Sequence, residues 1–217
     1  MTNKTLALTD ELHAYVVAHG SVPDPLVAEL IEETHAVLPG EAGMQIAPEQ
    51  AGFMTLLARI VGVRYAVEVG TFTGLSSIAI ARGMLPEGRL VCCDVSAEYT
   101  SIARRYWARA GLDRQIELRL GPAAETLRAM PTEEHIDLAF IDADKTAYPV
   151  YWAELVPRMR PGGVILVDNV LRHGRVLNPS DRDTKAIVDF NEEALADKRM
   201  ESVMLPMADG LTVARKK

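Results

Sequence analysis

The chain has 217 residues, 48% hydrophobic and 24% charged, with a formal net charge of −7 and two cysteines. That length fits one continuous core, since single cores stop growing near roughly 250 to 300 residues, and the acidic balance excludes nucleic acid as an expected partner. Met1-Thr2-Asn3-Lys4 does not open a leader peptide and no apolar run reaches the ~18 residues of a membrane span. Cys92 and Cys93 are neighbours on opposite faces of a strand, so they are not expected to pair. The reading is a soluble, cytoplasmic protein.

Taken in chain order, residues 8–18 carry periodic apolar side chains, and Asp24-Pro25 supplies an N-cap and first-turn proline ahead of Leu26, Leu30 and Ile31. A third helix begins near Pro48-Glu49 and is expected to present Phe53, Leu56, Leu57 and Ile60 as one apolar face. These helices make an N-terminal layer over residues 1–62, with apolar surface left to cover a site or meet a second copy. From Tyr65 the texture changes. Residues 65–69, 89–93, 116–120, 136–141 and 164–167 are short apolar runs ending in small or acidic residues, each followed by a helical pattern, the rhythm of parallel βαβ units. A helix over 184–196 follows, and residues 202–205 and 211–214 flank Asp209-Gly210, a hairpin signal. The prediction is a single doubly wound α/β domain over 1–217. Its core, over 63–217, holds a mostly parallel seven-stranded sheet ending in an antiparallel C-terminal hairpin. Residues 172–183 are polar and turn-rich and are read as a mobile loop.

The first strand runs into Glu68-Val69-Gly70-Thr71-Phe72-Thr73-Gly74, placing glycines where backbone must turn tightly and approach a ligand. A dinucleotide fingerprint would need glycine at position 72, where this chain has Phe72, so a nicotinamide cofactor fits less well. Asp94 ends the second strand, where an acid can accept the hydroxyl hydrogens of an adenosine ribose; the alternative is a helix cap beside Ser96. The fourth strand ends in Asp142-Ala143-Asp144-Lys145 and the fifth in Asp168-Asn169. If these strands are neighbours, Asp142, Asp168 and Asn169 converge, and crowded oxygen donors suit a hard divalent cation, Mg²⁺ first, with Mn²⁺ or Ca²⁺ as alternatives. The competing reading has these acids capping helices or pairing with Lys145 and Arg172.

With these motifs in view, the chain resembles the class I O-methyltransferases of the catechol and caffeoyl-CoA O-methyltransferase type, particularly bacterial members, over nearly its whole length. The resemblance rests on Met44-Gln45, the 68–74 segment, Cys93-Asp94, Ile141 through Lys145, Asp168-Asn169 and Asp209-Gly210-Leu211-Thr212. It implies a Rossmann-like methyltransferase fold and S-adenosylmethionine as cofactor, surrounded by Glu68, Gly70, Ser76, Asp94, Ala123 and Asp142, with Met44 near the methyl donor. It further implies Asp142, Asp168 and Asn169 as metal ligands, Lys145 as the catalytic base, a small catechol-like or hydroxycinnamoyl-type aromatic hydroxyl acceptor, and a homodimer. A nicotinamide-dependent oxidoreductase and a non-catalytic nucleoside-binding module are the competing classes. Trp107 and Trp152 are expected in the core or an interface, and Tyr148 and Tyr151 are left unassigned. Where that family often has a tryptophan and small residues after the Asp-Asn pair, this chain reads Val170-Leu171-Arg172-His173-Gly174-Arg175. Arg172 or His173 is therefore a candidate for reading an anionic or polar substituent, against a solvated basic loop paired with Asp181 or Asp183.

Overall fold

Side-chain caps decide where the opening helices start. In the computed structural model, which describes residues 6–20 and 23–217, Thr9 accepts a hydrogen bond from Leu12 N and starts α1 (Asp10–Ala18) two residues inside the apolar pattern. The reading of Met1-Thr2-Asn3-Lys4 lies outside the described residues. Asp24 accepts from Val27 N at 3.1 Å and, with Pro25, opens α2 (Pro25–Val37). The third helix, α3 (Pro48–Val61), stops at Gly62, whose φ of 68° is the left-handed conformation of a helix C-cap. Its buried stripe is Gln50, Met54 and Ala58. The expected face of Phe53, Leu56, Leu57 and Ile60 is thus corrected: Phe53 and Leu57 pack at its edge, while Leu56 and Ile60 stay exposed at 57% and 73%. Small and flexible residues four apart let α3 lie close on α4 (Leu75–Gly83), which larger branched ones would hold away.

Seven strands occur among the described residues: β1 (Tyr65–Val69), β2 (Arg89–Asp94), β3 (Ile116–Leu120), β4 (Ile136–Ile141), β5 (Met159–Asp168), β6 (Met200–Leu205) and β7 (Leu211–Lys216). They form one sheet in the order β3-β2-β1-β4-β5-β7-β6, with the first five parallel and β7 antiparallel to both neighbours. The remaining helices are α5 (Ala97–Arg109), α6 (Ala123–Arg128), α7 (Tyr148–Leu155) and α8 (Arg182–Ala196). One apolar cluster holds the sheet against α2 to α5 and includes Cys92 and Trp107; the other lies against α6 to α8 and includes Cys93 and Trp152. Both cysteines are buried and free, facing opposite cores as alternation along β2 requires. Both tryptophans are core residues with hydrogen-bonded indoles, Trp107 to Ser77 Oγ and Trp152 to Asp197.

Two expectations shift locally. The hairpin is closed by a five-residue loop, 206–210, rather than a tight turn on Asp209-Gly210, because its backbone also binds the 170–171 segment: Val170 N donates to Gly210 O and Leu171 N to Asp209 O. Residues 172–183 are partly ordered secondary structure, with 3-10 turns over Arg172–Leu177 and Asp181 capping α8 through Thr184 N and Oγ1. Among the described residues no helix is long and apolar enough to cross a membrane. The strand order reverses between β1 and β4, which opens a crevice at their carboxyl ends.

Candidate active site

A cavity of about 1130 Å³ occupies that crevice. Its floor is the turn after β1. Gly70 sits at φ 91°, and a Cβ there would fall 1.8 Å from the Asp142 carbonyl oxygen. The close approach that demands glycine is therefore made by the chain's own β4 end; Gly70 lines the cavity as a consequence. Phe72 is left-handed too, at φ 51°, and its ring packs edge-on against Tyr99. What holds this turn is Asp94: Thr71 N and Phe72 N both donate to its Oδ2 at 2.9 Å, and Ser96 N donates to Oδ1 at 2.8 Å. Ser96 itself caps α5, so Asp94 is not the helix cap and keeps acceptor capacity toward the cavity it lines. The first turn of α4 has no side-chain cap, and Gly74, Leu75 and Ser76 line the cavity there.

Met44, on a 3-10 turn, and Ala123, at the start of α6, complete this end of the wall. Glu68 is the one predicted cofactor residue that does not line the cavity. It is fully buried beneath the turn, and neither carboxylate oxygen has a hydrogen-bond partner, although Ser76, Cys92 and Thr71 lie beside it. Burial pushes its carboxyl up to about 7.

At the other end, β4 and β5 are indeed neighbours, and Asp142, Asp168 and Asn169 line the cavity with Lys145. Lys145 Nζ donates to Asp142 Oδ1 at 2.8 Å and to the Tyr148 hydroxyl at 2.7 Å; that hydroxyl in turn donates to the Asp168 carbonyl at 3.1 Å. Asp144, the other acid near Lys145, is taken by the Tyr151 hydroxyl. Asp168 is buried, accepts from Asn169 N at 2.7 Å and from Gln50 Nε2 at 2.8 Å, and is held well above the usual carboxylate range, first by burial and then by the charge of Asp142. Asn169 is left-handed at φ 57°, backbone strain that keeps its amide at the cavity. No group of three or more His, Cys, Asp or Glu converges among the described residues, so the oxygen set is two carboxylates and an amide. Two acids facing one already paired lysine leave surplus negative charge, and oxygen donors of this kind fit a hard divalent cation.

Three partners were not found by sequence reasoning. Gln50 reaches Asp168 across 118 positions of sequence, and its Oε1 is buried without a partner. The signal was a polar residue on the buried stripe of α3. Gln45 Nε2 donates to Thr34 Oγ1 and Thr73 Oγ1, tying the N-terminal layer to the cofactor turn. Tyr148 holds Lys145 from behind.

The strand order, the acid at the end of β2 and the uncapped turn before α4 define the class I S-adenosylmethionine-dependent methyltransferase fold. The chain belongs to the O-methyltransferase family, whose sequence pattern matches residues 18–217, and is an S-adenosylmethionine-dependent O-methyltransferase. It is 40% identical over 208 residues to a probable caffeoyl-CoA O-methyltransferase of Dictyostelium discoideum, covering 93% of this chain and 90% of that one. An O-methyltransferase from Bacillus cereus, solved in complex with SAH, is 32% identical with a TM-score of 0.86, covering 95% of this chain and 97% of that one. TomG from Streptomyces achromogenes, solved in complex with SAM and involved in tomaymycin synthesis, is 27% identical with a TM-score of 0.85, covering 95% and 96%.

Proposed function

We propose that the protein transfers a methyl group from S-adenosylmethionine to one hydroxyl of a catechol-like or hydroxycinnamoyl-type acceptor, with a divalent cation, Mg²⁺ first, at Asp142, Asp168 and Asn169. The observation that carries this reading is the convergence of those three oxygen donors beside Lys145 on the wall of the same cavity as Asp94. The relatives named for caffeoyl-CoA methylation support the acceptor class.

The cofactor supplies an electrophilic methyl group. Asp94 would hold its ribose, and the free N–H groups of the α4 first turn suit its carboxylate. Ser76, Ala123 and Met44 would shape the remaining wall, with Gly70 as its floor and Asp142 at its boundary with the acceptor. Glu68 acts from beneath the turn.

A phenol has a pKa near 10, so at pH 7 only about one molecule in 10³ is the nucleophilic phenolate. A bound cation supplies positive charge that favours the ionised diol. Lys145, fixed between Asp142 and Tyr148, receives the proton leaving the acceptor hydroxyl when it stands as the neutral amine, and as the ammonium it neutralises the oxyanion that remains. Gln50 and the Asn169 N–H hold the buried Asp168 in place. The whole chain would act as one domain and as a cytoplasmic homodimer, with exposed Leu56 and Ile60 of α3 available for the contact.

Lys145→Met tests the role of the lysine. The expected result is a fall in kcat of about 10² or more with SAH affinity held within about twofold by calorimetry. An unchanged kcat would remove Lys145 from the mechanism.

A further inference from the structure

The acceptor end of the cavity carries a cation that the chemistry above does not use. Lys145, Arg172 and His173 are the basic residues on the wall. The charge of Lys145 is matched by Asp142 at 2.8 Å, and His173 is turned toward Asp209, with Nδ1 3.7 Å from Oδ1 and its backbone N–H donating to the same carboxylate. Arg172 differs. Among the described residues its guanidinium has no ion pair and no hydrogen bond, and its Nε is shut off from solvent without a partner. Asp181 caps α8 and pairs with Arg175 at 3.3 Å, and Asp183, exposed on the same wall, makes no ion pair with Arg172.

The backbone fixes this arrangement. Arg172 and His173 are both left-handed, at φ 49° and 53°, followed by Gly174 at 80°. Two consecutive non-glycine residues in that region persist only where surrounding contacts impose them. Here the contacts are Asp209 accepting the His173 N–H, Leu171 N donating to Asp209 O, and Gly174 N donating to Leu171 O at 2.9 Å. The turn presents Arg172 to the cavity, keeps the exposed His173 at its rim against Asp209, and leaves Arg175 outside.

Charge orients what can approach. With a cation held at Asp142 and Asp168, as proposed above, a diol is drawn to that end, and a negative group on the same ligand meets an uncompensated positive charge in the unpaired guanidinium of Arg172. We propose that Arg172 is a specificity-determining residue that pairs with an anionic group on the acceptor, in a charge-assisted contact absent for neutral acceptors. The inference rests on the acceptor reading above. Two sources share this chemistry: a carboxylate on the side chain of the aromatic ring, or the phosphates of a thioester-linked carrier.

The test compares 3,4-dihydroxycinnamate, its methyl ester and its coenzyme A thioester in the wild type, Arg172→Ala, Arg172→Lys and Arg175→Ala. The readouts are kcat/KM and calorimetric affinity for the SAH-loaded protein. The wild type is expected to favour an anionic acceptor over the ester by about 10- to 100-fold, the range of a charge-assisted hydrogen bond. Arg172→Ala should bring that ratio near one, Arg172→Lys should retain part of it, and Arg175→Ala should keep it whole. Collapse with the free acid identifies a carboxylate, and collapse confined to the thioester identifies the phosphates. A ratio that is the same in the wild type and Arg172→Ala overturns the proposal while ester turnover leaves the acceptor reading standing. Absence of turnover for all three overturns both.

Discussion

Glu68→Gln should make the protein more stable at alkaline pH and leave it almost unchanged at acidic pH. The carboxyl lies fully buried under the β1 turn, without a hydrogen-bonded partner for either oxygen, and burial holds its pKa at about 7 against an ordinary 4.5. Between those values the folded state binds the proton that the unfolded chain releases, so this residue's contribution to stability falls as pH rises through that window and is fully lost above it. The window spans about two and a half pH units at about 1.4 kcal/mol each, or about 3.5 kcal/mol. Glutamine keeps the shape and removes the charge. In a chain of this size about 3.5 kcal/mol corresponds to a rise in Tm of roughly 7 to 14 °C. Urea titrations of both proteins, free of cofactor, at pH 5, 6, 7 and 8.5 measure the difference directly, and other titrating groups such as Asp168 cancel between them. A stability difference that grows toward pH 8.5 is expected. One that is equal at pH 5 and 8.5, or that favours the wild type at pH 8.5, would refute the assignment of a buried, unpaired carboxyl.

Gln50→Leu should weaken Mn²⁺ binding, followed by calorimetry, by about 10- to 100-fold, since it removes the amide that orients Asp168; unchanged affinity would show that Asp168 needs no such support. Gly70→Ala should cost about 3 kcal/mol or more in urea unfolding, because its Cβ would meet the Asp142 carbonyl at 1.8 Å and φ is 91°. A loss under about 1 kcal/mol would mean that the two strand ends can part without consequence.

Much of the fold is written in local patterns. The five parallel strands, the Asp24 cap and the alternation that sends Cys92 and Cys93 to opposite cores depend on residues close in sequence, and acids at strand ends could be read as neighbours once β4 and β5 were placed side by side. The features that were not legible depend on packing between distant segments. Gln50 has a role only where α3 packs over the end of β5, and the buried stripe of α3 differs from its apolar pattern because the close approach of α4 selects small side chains over large apolar ones. The glycine of the β1 turn was legible as a need for close approach, but the partner, Asp142 O, lies on another strand. The 206–210 loop outgrew a tight turn because it doubles as the support for residues 170–174. Which acid would take Lys145 was likewise beyond spacing: Asp144 is adjacent, yet the 3-10 turn gives Asp144 to Tyr151 and Lys145 to Asp142.

The central claim is that oxygen donors at the ends of β4 and β5 direct methylation to one hydroxyl of a vicinal diol. Its most direct test is transfer of labelled methyl from S-adenosylmethionine to 3,4-dihydroxycinnamate methyl ester and to the same ester with a single 4-hydroxyl, each with Mg²⁺ and with a chelator. The account predicts a mono-methylated product from the diol alone, abolished by the chelator. Equal product from the single hydroxyl, or product that survives chelation, would contradict it.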